Sequence, residues 1–229
     1  MIDEIPKVEW EDFLENHFQW KQGQHVTAIG PTGQGKTTLI KAILPQRKYV
    51  VTFVTKKKDS LISEFLRDGY KKVKEWGNLP HSAHPKILLH PPFLKTEPRE
   101  AEQRRQFKHA LNRVFDETGW TVYLDEAPYI VEDLGLLRQV KRLWQQGRSL
   151  KVTVIASAQR PRFLPLAAYS QATHLFFWRN SDENDSKRLG GLGGLDRKLI
   201  QRVVASLAEH EVLYVNTRTG ALVITKVRK

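Results

Sequence analysis

Short, almost unbroken apolar runs alternate along this chain with longer stretches in which apolar residues recur every three or four positions. The runs His25-Val26-Thr27-Ala28-Ile29, Tyr49 to Val54, Thr121 to Leu124, Val152 to Ala156 and Thr173 to Trp178 predict buried strands. The spaced stretches predict helices with one apolar face: Thr38 to Leu44, Leu61 to Leu66 behind an Asp59-Ser60 cap, about Arg99 to Asp116, and a helix marked by Leu134, Leu137, Val140 and Trp144 that stops near Gly147. A last helix, from about Asp196 to Ala208, precedes a hairpin of Val212 to Asn216 and Ala221 to Val227 turned at Thr219-Gly220. Strands alternating with helices predict an α/β domain with a mostly parallel central sheet, helices on both faces and a carboxyl-terminal β-hairpin.

Two stretches depart from the alternation. Residues 1–24 carry Trp10, Phe13, Phe18 and Trp20 among charges, which predicts a short helix and turn packed on the sheet edge; base stacking is the alternative use of these rings. Residues 70–98 are broken by Pro80, Pro85, Pro91, Pro92 and Pro98 and read as a peripheral insertion with one short strand at Ile87-Leu88-Leu89. The 229 residues suit one domain spanning 1–229.

Between the first predicted strand and the first helix stands Gly30-Pro31-Thr32-Gly33-Gln34-Gly35-Lys36-Thr37, followed by Thr38. This fits the phosphate-loop pattern GxxxxGK[ST] in the strand-to-helix setting that pattern requires. The glycines let backbone N–H groups turn inward around phosphates, and the following helix presents its positive end. Lys36 adds a mobile charge for the β- and γ-phosphates, and the Thr37 hydroxyl is a ligand for Mg²⁺.

Kinases, GTPases and motors share such a loop, so the other residues around the γ-phosphate discriminate among them. Asp125 and Glu126 close an apolar strand, an arrangement in which the first carboxylate holds Mg²⁺ and the second polarises a water for attack. Gln159, at the end of the next strand, is placed to sense the γ-phosphate; a plain polar strand end is the competing reading. Arg148, at the end of a helix, suits the charge of a phosphoryl transition state when supplied by a neighbouring subunit, and otherwise reads as a helix-end charge. These readings name ATP and Mg²⁺ as the ligands.

Charge and composition narrow the partners. With 37 Lys and Arg against 25 Asp and Glu the net charge is +12, which favours polyanions. Lys56-Lys57-Lys58, the set Arg138, Lys141 and Arg142, and the set Arg99, Arg104, Arg105 and Lys108 are candidate DNA contacts, with solvated faces as the alternative. The absence of cysteine excludes disulfides and thiolate metal sites. No apolar run approaches a membrane span, and Met1 to Pro6 lacks the order of a signal peptide, so a soluble intracellular protein without membrane insertion is expected.

The order GPTGQGKTT, YLDEAP and QQGRSLKVTVIASAQRP resembles the additional-strand, RecA-like P-loop ATPases of the HerA/FtsK superfamily, and within it the small viral genome-packaging ATPases. The likeness runs from about residue 25 to 227, with a weaker part at Phe177-Trp178-Arg179-Asn180 and Asp182 to Leu189. It implies a sheet in which the Gln159 strand lies between the phosphate-loop strand and the Asp125 strand. It also implies that Lys36 and Thr37 serve phosphate and Mg²⁺, Asp125 Mg²⁺, Glu126 the water as base, Gln159 as sensor, and Arg148 as a finger acting in trans. Arg142, Arg160, Arg162, Arg179 and Arg188 compete for that last role. The resemblance further implies an ATP-driven double-stranded DNA translocase working as a homo-oligomeric ring, pentamer or hexamer, beside a viral portal or vertex protein in the host cytoplasm or at the procapsid vertex. A cellular or plasmid translocase, a P-loop kinase and a nucleotide-binding scaffold are the alternatives.

Overall fold

The computed structural model describes residues 5–59, 61–77, 84–180 and 197–228. Ser60, Arg188 and the Asp182 to Leu189 stretch lie outside them. The strands are β1 Lys7–Val8, β2 His25–Ile29, β3 Val50–Phe53, β4 Lys71–Val73, β5 Lys86–Leu89, β6 Thr121–Leu124, β7 Thr153–Ala158, β8 Ala172–Trp178, β9 Glu211–Asn216 and β10 Leu222–Lys226. The helices are α1 Trp10–Asp12, α2 Lys36–Ile43, α3 Leu61–Arg67, α4 Ala101–Glu117, α5 Leu137–Gln146, α6 Ala167–Ser170 and α7 Arg197–Ser206. Single π-helical turns, Phe13–His17 and Tyr129–Asp133, extend α1 and precede α5.

Among the described residues the strands join in one sheet, in the order β1-β10-β9-β8-β2-β7-β6-β3-β5-β4. Pairing is antiparallel only where β9 meets β8 and β10; elsewhere neighbours run parallel. β7 therefore lies between β2 and β6, as the resemblance implied. β2 and β3 follow one another in the chain yet are separated by β7 and β6. This places β2 at a switch point of the topology, where the carboxyl ends of parallel strands open a crevice.

Both faces of the sheet are covered, which is why the strands read as apolar runs instead of alternating patterns. On one face Val26, Ala28, Ile155 and Tyr123 pack with Leu39, Ile40 and Ile43 of α2. On the other, Val122, Leu124, Val154 and Ala156 meet Phe107, Leu111 and Val114 of α4 and Val140, Leu143 and Trp144 of α5. The aromatics of the amino-terminal segment belong to the α2 face: Phe13 lies 5.1 Å from Tyr214 and 6.1 Å from Phe176, ring centre to ring centre. The same segment also supplies the edge strand β1, which its charged sequence did not announce.

Three expectations are corrected. The proline-broken stretch is peripheral, but it contributes two strands, β4 and β5, and β5 is hydrogen-bonded to β3. Leu137 points outward at 42% exposure, while Leu136 and Leu143 join Val140 and Trp144 inside. Arg142 does not stand on the solvated face: its guanidinium lies 3.8 Å over the Phe115 ring and donates to Asn112 Oδ1 at 3.0 Å, binding α5 to α4. No helix among the described residues is long and apolar enough to cross a membrane.

Candidate nucleotide site

The loop from Gly30 to Gly35 turns off the carboxyl end of β2 and enters α2 at Lys36. Gly33 and Gly35 have φ of +83° and +106°, a left-handed backbone that glycine alone adopts without strain. Gly30 N–H donates to Ala158 O of β7 at 3.2 Å, tying the loop to the neighbouring strand. Lys36 Nζ donates to the loop carbonyls of Gly30 and Pro31 at 2.6 and 2.8 Å, so its ammonium is held under the turn. Burial pulls the Lys36 pKa below its ordinary value, against the opposing pull of Glu126 and Asp125.

These groups open into a cavity of about 930 Å³. Thr32, Gly33, Gly35, Lys36, Thr37 and Thr38 form its floor, with Asp125, Glu126 and Gln159 at the ends of β6 and β7 on one side. Of the predicted phosphate-loop residues, Gly30, Pro31 and Gln34 shape the turn from behind: Gly30 and Pro31 through their carbonyls to Lys36, and Gln34 through Oε1, which accepts from His210 N–H at 3.2 Å.

Asp125 Oδ1 accepts a hydrogen bond from the fully enclosed Tyr123 hydroxyl at 2.5 Å, and Thr37 also bonds that hydroxyl. Burial, then the Asp125 charge, pushes the Tyr123 pKa well above the ordinary value. Asp125 itself is shifted upward, chiefly by burial. A hydroxyl and a carboxylate gathered around one phenol are hard oxygen donors, and they fit a hydrated Mg²⁺. Glu126 is held from two directions: Lys56 Nζ lies 3.2 Å from its Oε1, and Gln159 Nε2 donates to the same oxygen at 3.4 Å. A further wall is built by the start of α3, where Asp59 Oδ1 accepts from Leu61 N–H at 3.0 Å and Glu64 pairs with Lys41 of α2 at 2.8 Å.

Lys36, Thr37, Thr38, Asp125, Glu126 and Gln159, far apart in sequence, are thus brought together. Arg148 is not among them. It is exposed in the connection before β7, at the amino-terminal edge of the sheet, where its backbone packs on Gly23. The length of β7, at about 3.3 Å per residue, separates it from this chain's own cavity by roughly 20 Å. Sequence reasoning did not assign Tyr123, Asp59, Lys41, Glu64, His210 or Val227 to the site. Tyr123 carried a readable signal, two residues before Asp125 on the strand that leads to it; His210 and Val227 carried none.

Solved structures with this fold include the DNA-packaging ATPase B204 of Sulfolobus turreted icosahedral virus, 16% identical, with a TM-score of 0.65 over 92% of this chain and 100% of that one. B204 of Sulfolobus turreted icosahedral virus 2, solved in complex with ATP-gammaS, is 14% identical, with a TM-score of 0.65 and the same coverage. VirB4 of Thermoanaerobacter pseudethanolicus is 10% identical, with a TM-score of 0.63 over 90% of this chain and 89% of that one. No curated protein matches the sequence. The fold implied by the likeness to viral packaging ATPases is therefore the fold found. Residues 26–178, from the phosphate-loop strand to the end of β8, match the model of the ATPase family associated with various cellular activities (AAA), and the chain belongs to that family.

Proposed function

We propose that this protein hydrolyses ATP to move double-stranded DNA, as the motor of viral genome packaging, and that it works as a homo-oligomeric ring. The observation that carries the chemistry is Glu126, held by Lys56 and Gln159 next to Asp125 at the mouth of the phosphate-loop cavity. A carboxylate fixed there, lining the same cavity as Lys36, suits water as the nucleophile.

In this reading the loop amides and Lys36 bind the phosphates, Lys36 exchanging the Gly30 and Pro31 carbonyls for phosphate oxygens. Thr37 and Asp125 would hold Mg²⁺, which when bound neutralises charge on the phosphate oxygens. Glu126 takes a proton from the attacking water. Gln159, bonded to Glu126, registers the loss of the γ-phosphate and passes it to the Arg160 to Leu166 loop that follows. Arg148 completes the site of the neighbouring subunit. The net charge of +12 supplies the attraction for DNA, and the fold shared with viral packaging ATPases supports that cargo. A portal or vertex protein would anchor the ring, in host cytoplasm or at the procapsid.

Steady-state ATP hydrolysis with and without long double-stranded DNA, at two salt concentrations and with Lys36→Ala as blank, tests the proposal. Stimulation by DNA that fades with salt is expected. Hydrolysis indifferent to DNA would remove the translocase, and no hydrolysis would remove the ATPase.

A further inference from the structure

The cavity continues beyond what a triphosphate requires, and its catalytic groups give it a direction. Asp125, Glu126 and Gln159 come from β6 and β7, on one side of β2. A γ-phosphate facing Glu126 therefore sends the rest of the nucleotide across the loop to the other side of β2, toward β8, β9 and β10. The wall made by Leu61 and Glu64 of α3, which follows β3 on the catalytic side, includes Lys41 of α2, and the Glu64 and Lys41 charges are already paired.

On the β9 and β10 side the cavity is lined by His210 and Val227. His210 immediately precedes β9 and Val227 immediately follows β10, and the two are joined by a hydrogen bond from Val227 N–H to His210 O at 3.0 Å. Both also touch the phosphate loop. His210 N–H donates to Gln34 Oε1 at 3.2 Å, and a Cβ placed on Gly35 would lie 3.3 Å from the Val227 side chain. His210 has a φ of +64°, so the chain accepts a left-handed non-glycine residue at this point. A flat imidazole, its side chain 41% exposed, stands beside an apolar Val227 against the loop that carries the phosphates. That pair matches the flat face of a nucleobase and the carbon face of a ribose.

We infer that the nucleoside of the bound triphosphate packs on His210 and Val227, so that the base of the carboxyl-terminal hairpin forms the nucleoside half of the site. The inference rests on the nucleotide-binding reading and deepens it. Because the same two residues brace Gln34 and Gly35, the hairpin is in place before the nucleotide arrives.

Affinities of wild type, Val227→Ala and His210→Asn for ATP and for inorganic tripolyphosphate, measured by titration calorimetry, test it. Asparagine removes the ring yet tolerates the left-handed backbone. Each variant should bind ATP about tenfold more weakly while its affinity for tripolyphosphate stays within about twofold. Parallel weakening toward both ligands would overturn the inference, because the residues would then brace the loop only. Unchanged ATP affinity in both variants would overturn it as well, and so would a wild type that binds tripolyphosphate as tightly as ATP. A wild type that binds neither would instead sink the nucleotide reading and the inference with it.

Discussion

At the scale of single residues, the proposed chemistry turns on what holds Glu126. The Lys56 ammonium remains above its ordinary pKa: partial burial pulls it down, but the hydrogen bond and charge of Glu126, then Asp125 and Asp59, more than offset that. Its side chain is 53% exposed, so the ion pair adds at most about 1 kcal/mol to stability, and its effect is on the geometry of the carboxylate. Glu126→Gln keeps the shape and both neighbours but cannot take a proton, so ATP affinity should stay near wild type while kcat falls by about a hundredfold or more. Wild-type turnover in that variant would assign the base to another group. Lys56→Ala should lower kcat by about tenfold with little change in KM, and Lys56→Arg should restore much of the loss. A rise in KM alone would make Lys56 a phosphate ligand instead.

At the scale of elements, the base of the sheet is joined by two buried histidines that must stay neutral. His25 Nδ1 accepts from Val154 N–H at 2.9 Å, which leaves Nε2 to donate to Trp144 O at 3.1 Å, linking β2, β7 and α5. His174 stands between Tyr214 Oη at 2.8 Å and Gln24 Oε1 at 3.0 Å. Burial lowers the His25 pKa to about 4 and the His174 pKa to about 3, with the charge of Arg218 adding to both shifts. Below pH 6.5 the unfolded chain therefore binds protons that the folded one refuses, and stability falls with pH. The loss approaches about 1.4 kcal/mol per pH unit for each histidine. It ends near pH 4 for His25 and near pH 3 for His174. Urea midpoints should be level above about pH 7 and drop between pH 6.5 and 4, with a shallower drop in His25→Gln. An identical slope in that variant would place the acid sensitivity elsewhere. Such bonds also mark the limit of the sequence. The phosphate loop, Asp125-Glu126 and the central strands were legible because their chemistry and periodicity are local. The edge strands were not: β1 is held by β10 at the far end of the chain, and β1 and β4 have little apolar pattern of their own. His210 and Val227 could be placed at the phosphate loop only once the strand order was known.

At the scale of the whole molecule, the proposed trans finger places Glu126 and Arg148 at opposite ends of the parallel strands. The cavity with Glu126 opens at the carboxyl ends of the parallel strands, and Arg148 lies at their amino ends. The connection that carries it is fixed: Gly23 N–H donates to Thr153 Oγ1 at 2.9 Å and Gln22 Nε2 to Lys151 O at 2.8 Å. A Cβ on Gly147 would come within 2.9 Å of the His25 ring, so the segment has no room to swing toward its own pocket. If Arg148 acts on a γ-phosphate, that phosphate belongs to another subunit. Arg148→Ala and Glu126→Gln should each abolish hydrolysis in rings of one kind. Mixing them creates interfaces in which an Arg148→Ala subunit keeps its own Glu126 and receives Arg148 from a Glu126→Gln neighbour. A mixture titrated from one variant to the other should therefore regain activity, highest near equal proportions and absent at both ends. Activity that stays at the floor across the whole titration would exclude a shared site built from these two residues and hand the finger to another arginine, Arg160, Arg162 or Arg179 at the opposite edge of the sheet.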